Sequence, residues 1–350
     1  MAGLYADLAA LPLAVDSYEL EPRERDVSSA FTRVTTIVRL RGDGEEGVGE
    51  DVTYDAEDQR SLQQAGPSAP LAGEHTLGSF SALLGSLELF PAPPHFEVYR
   101  NYRRWAFEAA ALDLALRQAG RPFADAVGRE ARPVTFVVSM RLGEPPTAEP
   151  VLRRLALYPS LRFKLDPTSS WTDELVAELA ATGAVESVDL KGRYTGTVID
   201  QPADAQLYRR VAEGFPSALI EDPALTPETD AVLAPHRDRI SWDEPIHSVA
   251  DIEALPFPPR VINVKPSRFG TVEALLATYE HCAARGIRVY GGGQFELGPG
   301  RGQIQYLASL FHPDAANDVA PGEYNEPEPR PGLPTSPLAP APASVGFRWG

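Results

Sequence analysis

The sequence predicts an α/β protein, a β/α barrel preceded by a smaller α+β unit. From about residue 133 onward short apolar segments alternate with helical patterns, and five apolar segments end on a charged residue. Near-continuous apolar strands separated by single helices favour parallel pairing under a layer of helices, and about eight such units can close into a barrel. The 350 residues, 43% of them hydrophobic, suffice for one large barrel and a small companion domain.

The composition limits the kinds of molecule that this protein can be expected to bind. The formal net charge of -17 opposes binding to nucleic acid or anionic membranes, because no run of Lys and Arg can neutralise phosphates. The N-terminus lacks a basic signal-peptide segment, and no apolar run approaches the roughly 18 residues of a membrane span. A single cysteine, Cys282, excludes an intrachain disulfide. We therefore expect a cytoplasmic protein whose partners are small molecules.

The N-terminal unit is expected to span residues 1–130. Three segments between residues 17 and 54 carry β-branched alternation, and a Gly-Asp-Gly turn at 42–44 predicts an antiparallel meander. From about 55 to 130 apolar residues recur at spacings of three and four, with Gly120 as a stop signal. This part is therefore predicted to be α+β.

The barrel is expected to span residues 131–320. Its predicted strands are VTFVVS, LRFKL, VESVDL, SALIE, RISWD, VINVK and IRVYGG, with NDVAP as a weak eighth. The tail, residues 321–350, holds many of the 34 prolines and is typical of a solvated linker. Its apolar end, VGFRW, also permits docking on the N-terminal unit. The sequence leaves both alternatives open.

Five strand-ending residues are the candidates for chemistry, and in chain order they are Lys164, Asp189, Glu221, Asp243 and Lys265. Active-site residues of a parallel barrel lie at the carboxyl ends of its strands, so these side chains should share one mouth. Three carboxylates on successive strands suit a hard divalent cation such as Mg²⁺. With a lysine on each side, the set matches removal of a proton from the carbon next to a carboxylate. In such a reaction the metal stabilises the enediolate that forms, and a lysine amine takes the proton.

Each of these five residues, considered alone, could also have a purely structural role. A strand-end lysine can extend to solvent or pair with a neighbouring acid. Carboxylates in EDP and DEP segments can begin turns or cap helices, and Glu244 could substitute for the adjacent Asp243. The common order and spacing of the five residues favour the chemical interpretation.

The motifs in their order resemble the enolase superfamily, nearest the muconate-lactonizing enzyme and o-succinylbenzoate synthase branch. They are TRVTTIVRLRGDGEEGVGE, AFEAAALDLALRQAGRP, RFKLD, VDLKG, LIEDP, SWDEP, INVKPSRFG and GGGQFELGPGRGQ, which together extend over most of the chain. The resemblance implies a modified TIM (β/α) barrel with an N-terminal α+β capping domain, Mg²⁺ or Mn²⁺, and a small carboxylate substrate. It implies an isomerase that racemises or epimerises, or a lyase that eliminates. We also expect a homo-oligomer.

Site residues follow from the resemblance position by position. Lys164 and Lys265 match the two catalytic acid/base groups, and the three strand-ending acids match the metal ligands. Arg162 stands where the family has a supporting lysine, and Glu296 matches an acidic position near the substrate. Ser29 and Phe31 fall in a loop that is implied to close over the barrel and shape specificity.

The third strand departs from the family pattern. The family usually shows Asp-x-Asn, whereas this chain has Asp189-Leu190-Lys191. Because side chains alternate along a strand, Lys191 should point into the mouth with Asp189. Its ammonium could pair with a ligand carboxylate, weaken metal binding or replace part of the metal's charge. We expect a metal affinity below that usual for the family. The departure also supports an alternative, a barrel without catalysis that acts as a binding or structural protein.

Overall fold

The computed structural model describes residues 3–27, 31–197 and 199–350. An antiparallel α+β region comes first in the chain, and seven parallel strands curled as a half-barrel follow it, in the manner of a TIM barrel. This arrangement confirms the fold class predicted from the alternating apolar segments. Within the described ranges, no helix is both long enough and apolar enough to cross a membrane.

The N-terminal region carries two small antiparallel sheets, β1-β5 and β2-β3-β4. Its elements are α1 (Leu4–Ala9), β1 (Pro12–Val15), β2 (Ser17–Val27), β3 (Phe31–Gly42), β4 (Glu45–Asp51), α2 (Ala56–Ala65), β5 (Gly73–Thr76), α3 (Leu77–Ser86), α4 (Tyr99–Gln118) and α5 (Phe123–Ala126). The three-stranded sheet is the predicted meander. Its second turn uses positive φ angles at Asp43 and Gly44, 51° and 75°, as a tight hairpin turn requires.

The long helix α4 lies directly on this sheet because β4 presents glycines to it. A Cβ at Gly47 would lie 2.2 Å from the carbonyl oxygen of Ala110, and one at Gly49 would lie 2.0 Å from that of Ala106. Neither position can therefore hold a side chain at this separation. The alanine-rich face of α4 and the two glycines together account for the close packing.

The barrel alternates strands and helices from residue 138 to residue 311. Its elements are β6 (Val138–Met140), α6 (Glu149–Leu157), β7 (Phe163–Leu165), α7 (Asp173–Ala181), β8 (Val185–Asp189), α8 (Ala205–Gly214), β9 (Leu219–Glu221), α9 (Pro227–Leu233), a 3₁₀ helix (Ala234–Arg239), β10 (Ile240–Trp242), α10 (Val249–Glu253), β11 (Val261–Val264), α11 (Pro266–Phe269), α12 (Val272–Arg285), β12 (Arg288–Gly291) and α13 (Pro299–Phe311). Adjacent strands follow chain order from β6 to β12. Their carboxyl ends therefore meet at one mouth.

Residues 317 and 318 connect the two edges of the seven-stranded sheet. Asn317 forms a parallel bridge with Phe136, just before β6, and Asp318 forms one with Gly292, just after β12. This is the segment predicted as a weak eighth strand. It is reduced to isolated bridges, which explains why its sequence carries so little strand pattern.

The proline-rich tail returns to the rest of the protein after a 3₁₀ helix (Gly322–Asn325). Leu338 bridges Val134 in antiparallel fashion, and Gly346 bridges Pro122. Phe347 is fully buried, and its ring lies 4.9 Å from that of Phe123 between centroids. The end of the tail therefore packs beside α5.

Candidate active site

Three carboxylates from successive strands converge at the barrel mouth. Asp189 at the end of β8 pairs in register with Glu221 at the end of β9. Asp243 directly follows β10, two residues beyond the partner of Glu221. All three side chains are buried, and one ligand oxygen from each lies within 4.8 Å of the others. The structure thus brings the predicted acids together.

Lys164 reaches these carboxylates from one layer deeper in the barrel. Its backbone pairs in register with Ser187, one inward-facing position before Asp189. Its Nζ lies 2.5 Å from Glu221 Oε1, 3.1 Å from Asp189 Oδ2 and 3.7 Å from Asp318 Oδ2. Although burial alone would lower it, these carboxylates raise the pKa of Lys164 well above its ordinary value. This ammonium therefore neutralises part of the acid cluster.

Lys265 occupies the opposite side of the cluster, where β11 ends. Its Nζ lies 2.8 Å from Asp243 Oδ2. The hydroxyl of Tyr194 donates to the same oxygen at 3.0 Å, and an Nη of Arg268 lies 3.4 Å from it. One oxygen of Asp243 therefore serves three donors, two of them cationic.

Lys191 points toward the cluster. Its backbone is left-handed, with φ 52°, and its Nζ forms an ion pair with Asp189 Oδ2. The ammonium also lies 5.0 Å from the ring centroid of Tyr194 and 4.0 Å from Asp166 Oδ1. Burial on its own would raise the pKa of Asp189, but the ammonium groups of Lys191 and Lys164 hold it below its ordinary value. Asp189 is therefore a carboxylate shared by two lysines.

The other predicted site residues that the structure describes make contacts with groups other than the three acids. Arg162 is not brought to the cluster, because its guanidinium donates to the carbonyls of Ser160 and Leu161 and its side chain is 41% exposed. Glu296 is buried and pairs with Arg301 at 2.9 Å. Phe31 and Ser29 belong to the predicted specificity loop; the ring of Phe31 stands 5.6 Å from that of Phe295, and Ser29 lies outside the described residues.

Several polar residues of the site were not predicted from the sequence. They are Asp166, Tyr194, Arg268, Tyr290 and Asp318, together with Asp222 of the EDP segment. Asp222 has a positive φ of 46° and accepts hydrogen bonds from the backbone N–H groups of Asp243 and Glu244, each at 2.8 Å. Burial, together with the negative charges of Asp243 and Asp189, raises the pKa of Asp222 to about 7. It holds the ends of β9 and β10 together.

One compositional signal could have identified the site. Among the 32 Lys and Arg residues only Lys164, Lys191 and Lys265 are lysines, and all three contact the acid cluster. Arginine stays protonated in proteins, whereas a lysine amine can gain and lose a proton. Lysine is thus used only where the protein surrounds it with the acids of this site.

The three carboxylates form a donor set for a divalent cation. Carboxylate oxygens in this number and proximity suit Mg²⁺ or Mn²⁺. Asp243 Oδ1 is buried and lacks a hydrogen-bond partner among the described residues, which leaves one ligand oxygen free. The residues therefore fit a metal, although each carboxylate also carries a lysine contact.

Family models match both parts of the chain. Residues 130–326 match "Domain of unknown function (DUF8230) C-terminal domain", and residues 6–126 match the corresponding N-terminal domain. Both parts thus belong to one described family whose model names no activity.

Curated relatives and a solved structure extend this picture. The o-succinylbenzoate synthase of Geobacillus kaustophilus is 28% identical over 66% of this chain and 63% of its own length, which is less than two thirds of that relative. The N-succinylamino acid racemase of Amycolatopsis sp is 30% identical over 68% of this chain and 67% of its own length. An enolase-superfamily protein of Listeria innocua shares the fold with a TM-score of 0.68, at 19% identity, over 89% of this chain and 86% of that one.

Proposed function

Since this chain belongs to the DUF8230 family and to the branch of the enolase superfamily that contains muconate-lactonizing enzymes, o-succinylbenzoate synthases and N-succinylamino acid racemases, we propose that it removes a proton from the carbon next to a substrate carboxylate. One observation carries the proposal. Three carboxylates on adjacent strands lie within 4.8 Å of one another, and all three lysines of the chain contact them.

The acids are proposed to hold the cofactor. Asp189, Glu221 and Asp243 would bind Mg²⁺ or Mn²⁺, which when present supplies positive charge next to the oxygens of the substrate carboxylate. Asp222 supports this set because it fixes the backbone of Asp243 relative to β9. The chain itself thus provides ligands on strands whose ends are tied to each other.

Lys265 is proposed as the acid/base group on the β11 side of the substrate. Its amine lies at the mouth beside Asp243, where it can take a proton from the substrate carbon or return one to it. Arg268 shares Asp243 with it and helps keep the carboxylate in place. Return of a proton to the face opposite the one deprotonated gives racemisation or epimerisation, and departure of a leaving group gives a lyase product.

Proton exchange tests the proposal. The wild type is incubated in D₂O with Mg²⁺ and a panel of N-succinylamino acids, other N-acylated amino acids and 2-hydroxy acids, and α-deuterium is measured by ¹H NMR. We expect exchange in at least one compound and at least a 100-fold slower rate in Lys265→Ala for one enantiomer. Arg285→Ala, which removes an exposed arginine of α12, is the matched control and should keep the wild-type rate. Exchange without elimination selects a racemase.

A second candidate function is a binding or structural protein without catalysis. The observation that favours it is that every carboxylate of the cluster has a lysine contact, so the lysines neutralise part of the negative charge of the site. Equal inactivity of the wild type and Lys265→Ala across the whole panel would support this candidate and contradict the enzyme.

A further inference from the structure

The carboxylate of Glu221 is held by donors from two sides of the barrel. Lys164 Nζ, which comes from β7, lies 2.5 Å from Glu221 Oε1. The hydroxyl of Tyr290, which comes from β12, donates to Glu221 Oε2. Each oxygen of the carboxylate therefore has its own donor, and together the two donors fix the orientation of the carboxylate.

Tyr290 lies one inward-facing layer below the barrel mouth. Gly292, two residues further on, lies at the mouth, where an added Cβ would come within 2.7 Å of Lys265 Cε. Because side chains alternate along a strand, Tyr290 points into the interior below Gly292. The tyrosine is fully buried, and its hydroxyl reaches Glu221 on β9 although β10 and β11 lie between the two strands. The side chain therefore crosses the barrel interior just below the mouth.

A second hydroxyl supports Tyr290 from a neighbouring strand. Ser241 on β10 pairs in register with Glu221, and its Oγ lies 3.1 Å from the hydroxyl oxygen of Tyr290. Since an ionised carboxylate can only accept, the proton of Tyr290 is directed to Glu221, and Ser241 donates to the oxygen of Tyr290. Ser241 is also buried. The three groups thus form one chain of hydrogen bonds that ends on Glu221.

The charge of the donor distinguishes Tyr290 from the lysines of the site. Lys164, Lys191 and Lys265 each bring an ammonium to the acids, and an ammonium repels a divalent cation. A phenol is neutral, and it occupies one of the roughly four lone-pair sites of a carboxylate. Tyr290 can therefore orient Glu221 without reducing its negative charge. Partners that orient a ligand in this way commonly increase the affinity for the metal.

We infer that Tyr290 is a positioning residue for the metal ligand Glu221, and that Ser241 supports it in this role. The inference rests on the proposed function, in which Glu221 binds Mg²⁺ or Mn²⁺. Because the carboxylate is already oriented by Lys164 and Tyr290, it loses less conformational freedom when a metal binds. The tyrosine thus acts on metal affinity through Glu221.

Removal of single hydroxyls tests the inference. Isothermal titration calorimetry measures the Kd for Mg²⁺ and for Mn²⁺ in the wild type and in each variant. Tyr290→Phe should raise both Kd values at least tenfold. Ser241→Ala should raise them about two- to fivefold, because Tyr290 keeps its bond to Glu221 and loses only its support. Tyr306→Phe is the matched control and should bind like the wild type, since its hydroxyl accepts from the N–H of Ala124 in α5.

Urea denaturation of the same variants without metal separates positioning from packing. A purely structural role predicts that Tyr290→Phe loses stability while its Kd values stay unchanged, and that result overturns the inference. Tighter binding by Tyr290→Phe also overturns it, because the hydroxyl would then compete with the metal. If Tyr290→Phe fails to fold by circular dichroism, Ser241→Ala decides, and unchanged Kd values overturn the inference. A wild type that binds neither ion contradicts the proposed function itself, and the role of Tyr290 falls with it.

Discussion

At the scale of single residues, the site is defined by how its three lysines are paired. Lys164 neutralises two of the acids from below, Lys265 pairs with the third, and Lys191 adds a further ammonium at Asp189. The first two contacts leave room for a cation among the remaining oxygens, such as Asp243 Oδ1. Lys191 shares Asp189 Oδ2 with Lys164 and would compete with a metal for that oxygen, and it is the lysine at which this chain departs from the Asp-x-Asn pattern of the family.

Substitution of Lys191 by asparagine should strengthen metal binding. The change removes a positive charge that repels the cation and occupies Asp189, so we expect the Kd for Mg²⁺ to fall at least tenfold, about 1.4 kcal/mol. Isothermal titration calorimetry measures the affinity directly. Lys191→Arg is the matched control, since it keeps the charge and should bind as weakly as the wild type. An unchanged Kd in Lys191→Asn would contradict the expectation.

The sequence could predict those site residues that end apolar strands. Asp189, Glu221 and Asp243 are found in this way because strand ends in a barrel converge, whatever the details of packing. Asp166 could not be identified, since its place beside the cluster depends on the β7–β8 register and on its ion pair with Lys191. Arg162 illustrates the reverse: it precedes Lys164 by two residues, yet its side chain contacts nearby carbonyls outside the cluster.

At the scale of elements, residues 317 and 318, which connect the two edges of the seven-stranded sheet, show what a sequence pattern cannot predict. Two bridging residues are too few to produce an alternating strand pattern. The side chain of Asn317 holds the two edges together instead. Asn317 Oδ1 accepts from Gly291 N–H and lies 2.6 Å from His312 Nδ1, while its amide donates to the carbonyl of Thr135. A Cβ at Gly291 would lie 2.6 Å from the imidazole. Such a network depends on residues far apart in sequence.

Protonation of His312 should weaken this closure. Burial lowers the pKa of His312 to about 4, against roughly 6.5 in an unfolded chain. The neutral imidazole therefore favours the folded state fully above about pH 6.5, and this contribution is lost as the pH falls toward 4. Between pH 7 and 5 the loss should be about 2 kcal/mol.

Urea denaturation at several pH values measures this contribution. The stability of His312→Gln should fall less steeply between pH 7 and 5 than that of the wild type, because its side chain does not titrate. His236→Gln, in the 3₁₀ helix before β10, serves as the control and should keep the wild-type slope. Equal slopes for wild type and His312→Gln would show that His312 does not contribute.

At the scale of the whole molecule, the N-terminal region and the barrel are joined by contacts that the sequence does not reveal. Glu50 on β4 accepts hydrogen bonds from the N–H groups of Leu297, Gly298 and Gly300 at the start of α13. It thereby supplies an acid to the positive end of a barrel helix. The oligomeric state and the domain boundaries at residues 130 and 320 stay predictions.

The tail makes a second connection of this kind. Phe347 packs between Phe123 of α5 and Tyr306 of α13, and its N–H donates to Asp113 of α4 at 2.8 Å. Arg348 pairs with Asp113 at 2.7 Å, and that carboxylate is fully buried. A buried acid needs such a partner, so the tail completes a site in the N-terminal region as well as covering apolar surface.

Removal of the Phe347 ring should therefore destabilise the whole protein. Phe347→Ala leaves a cavity between α5 and α13, and a fully buried phenylalanine costs about 3 to 5 kcal/mol when truncated. Phe96→Ala, which truncates a side chain that is 37% exposed, should cost less than about 1 kcal/mol. Urea denaturation of both variants gives the comparison, and equal losses would mean that the tail does not pack as described. Because the ring contacts helices of both regions, its loss should lower the stability of each. Fluorescence and circular dichroism should therefore report the same shift in the urea concentration at the midpoint of unfolding.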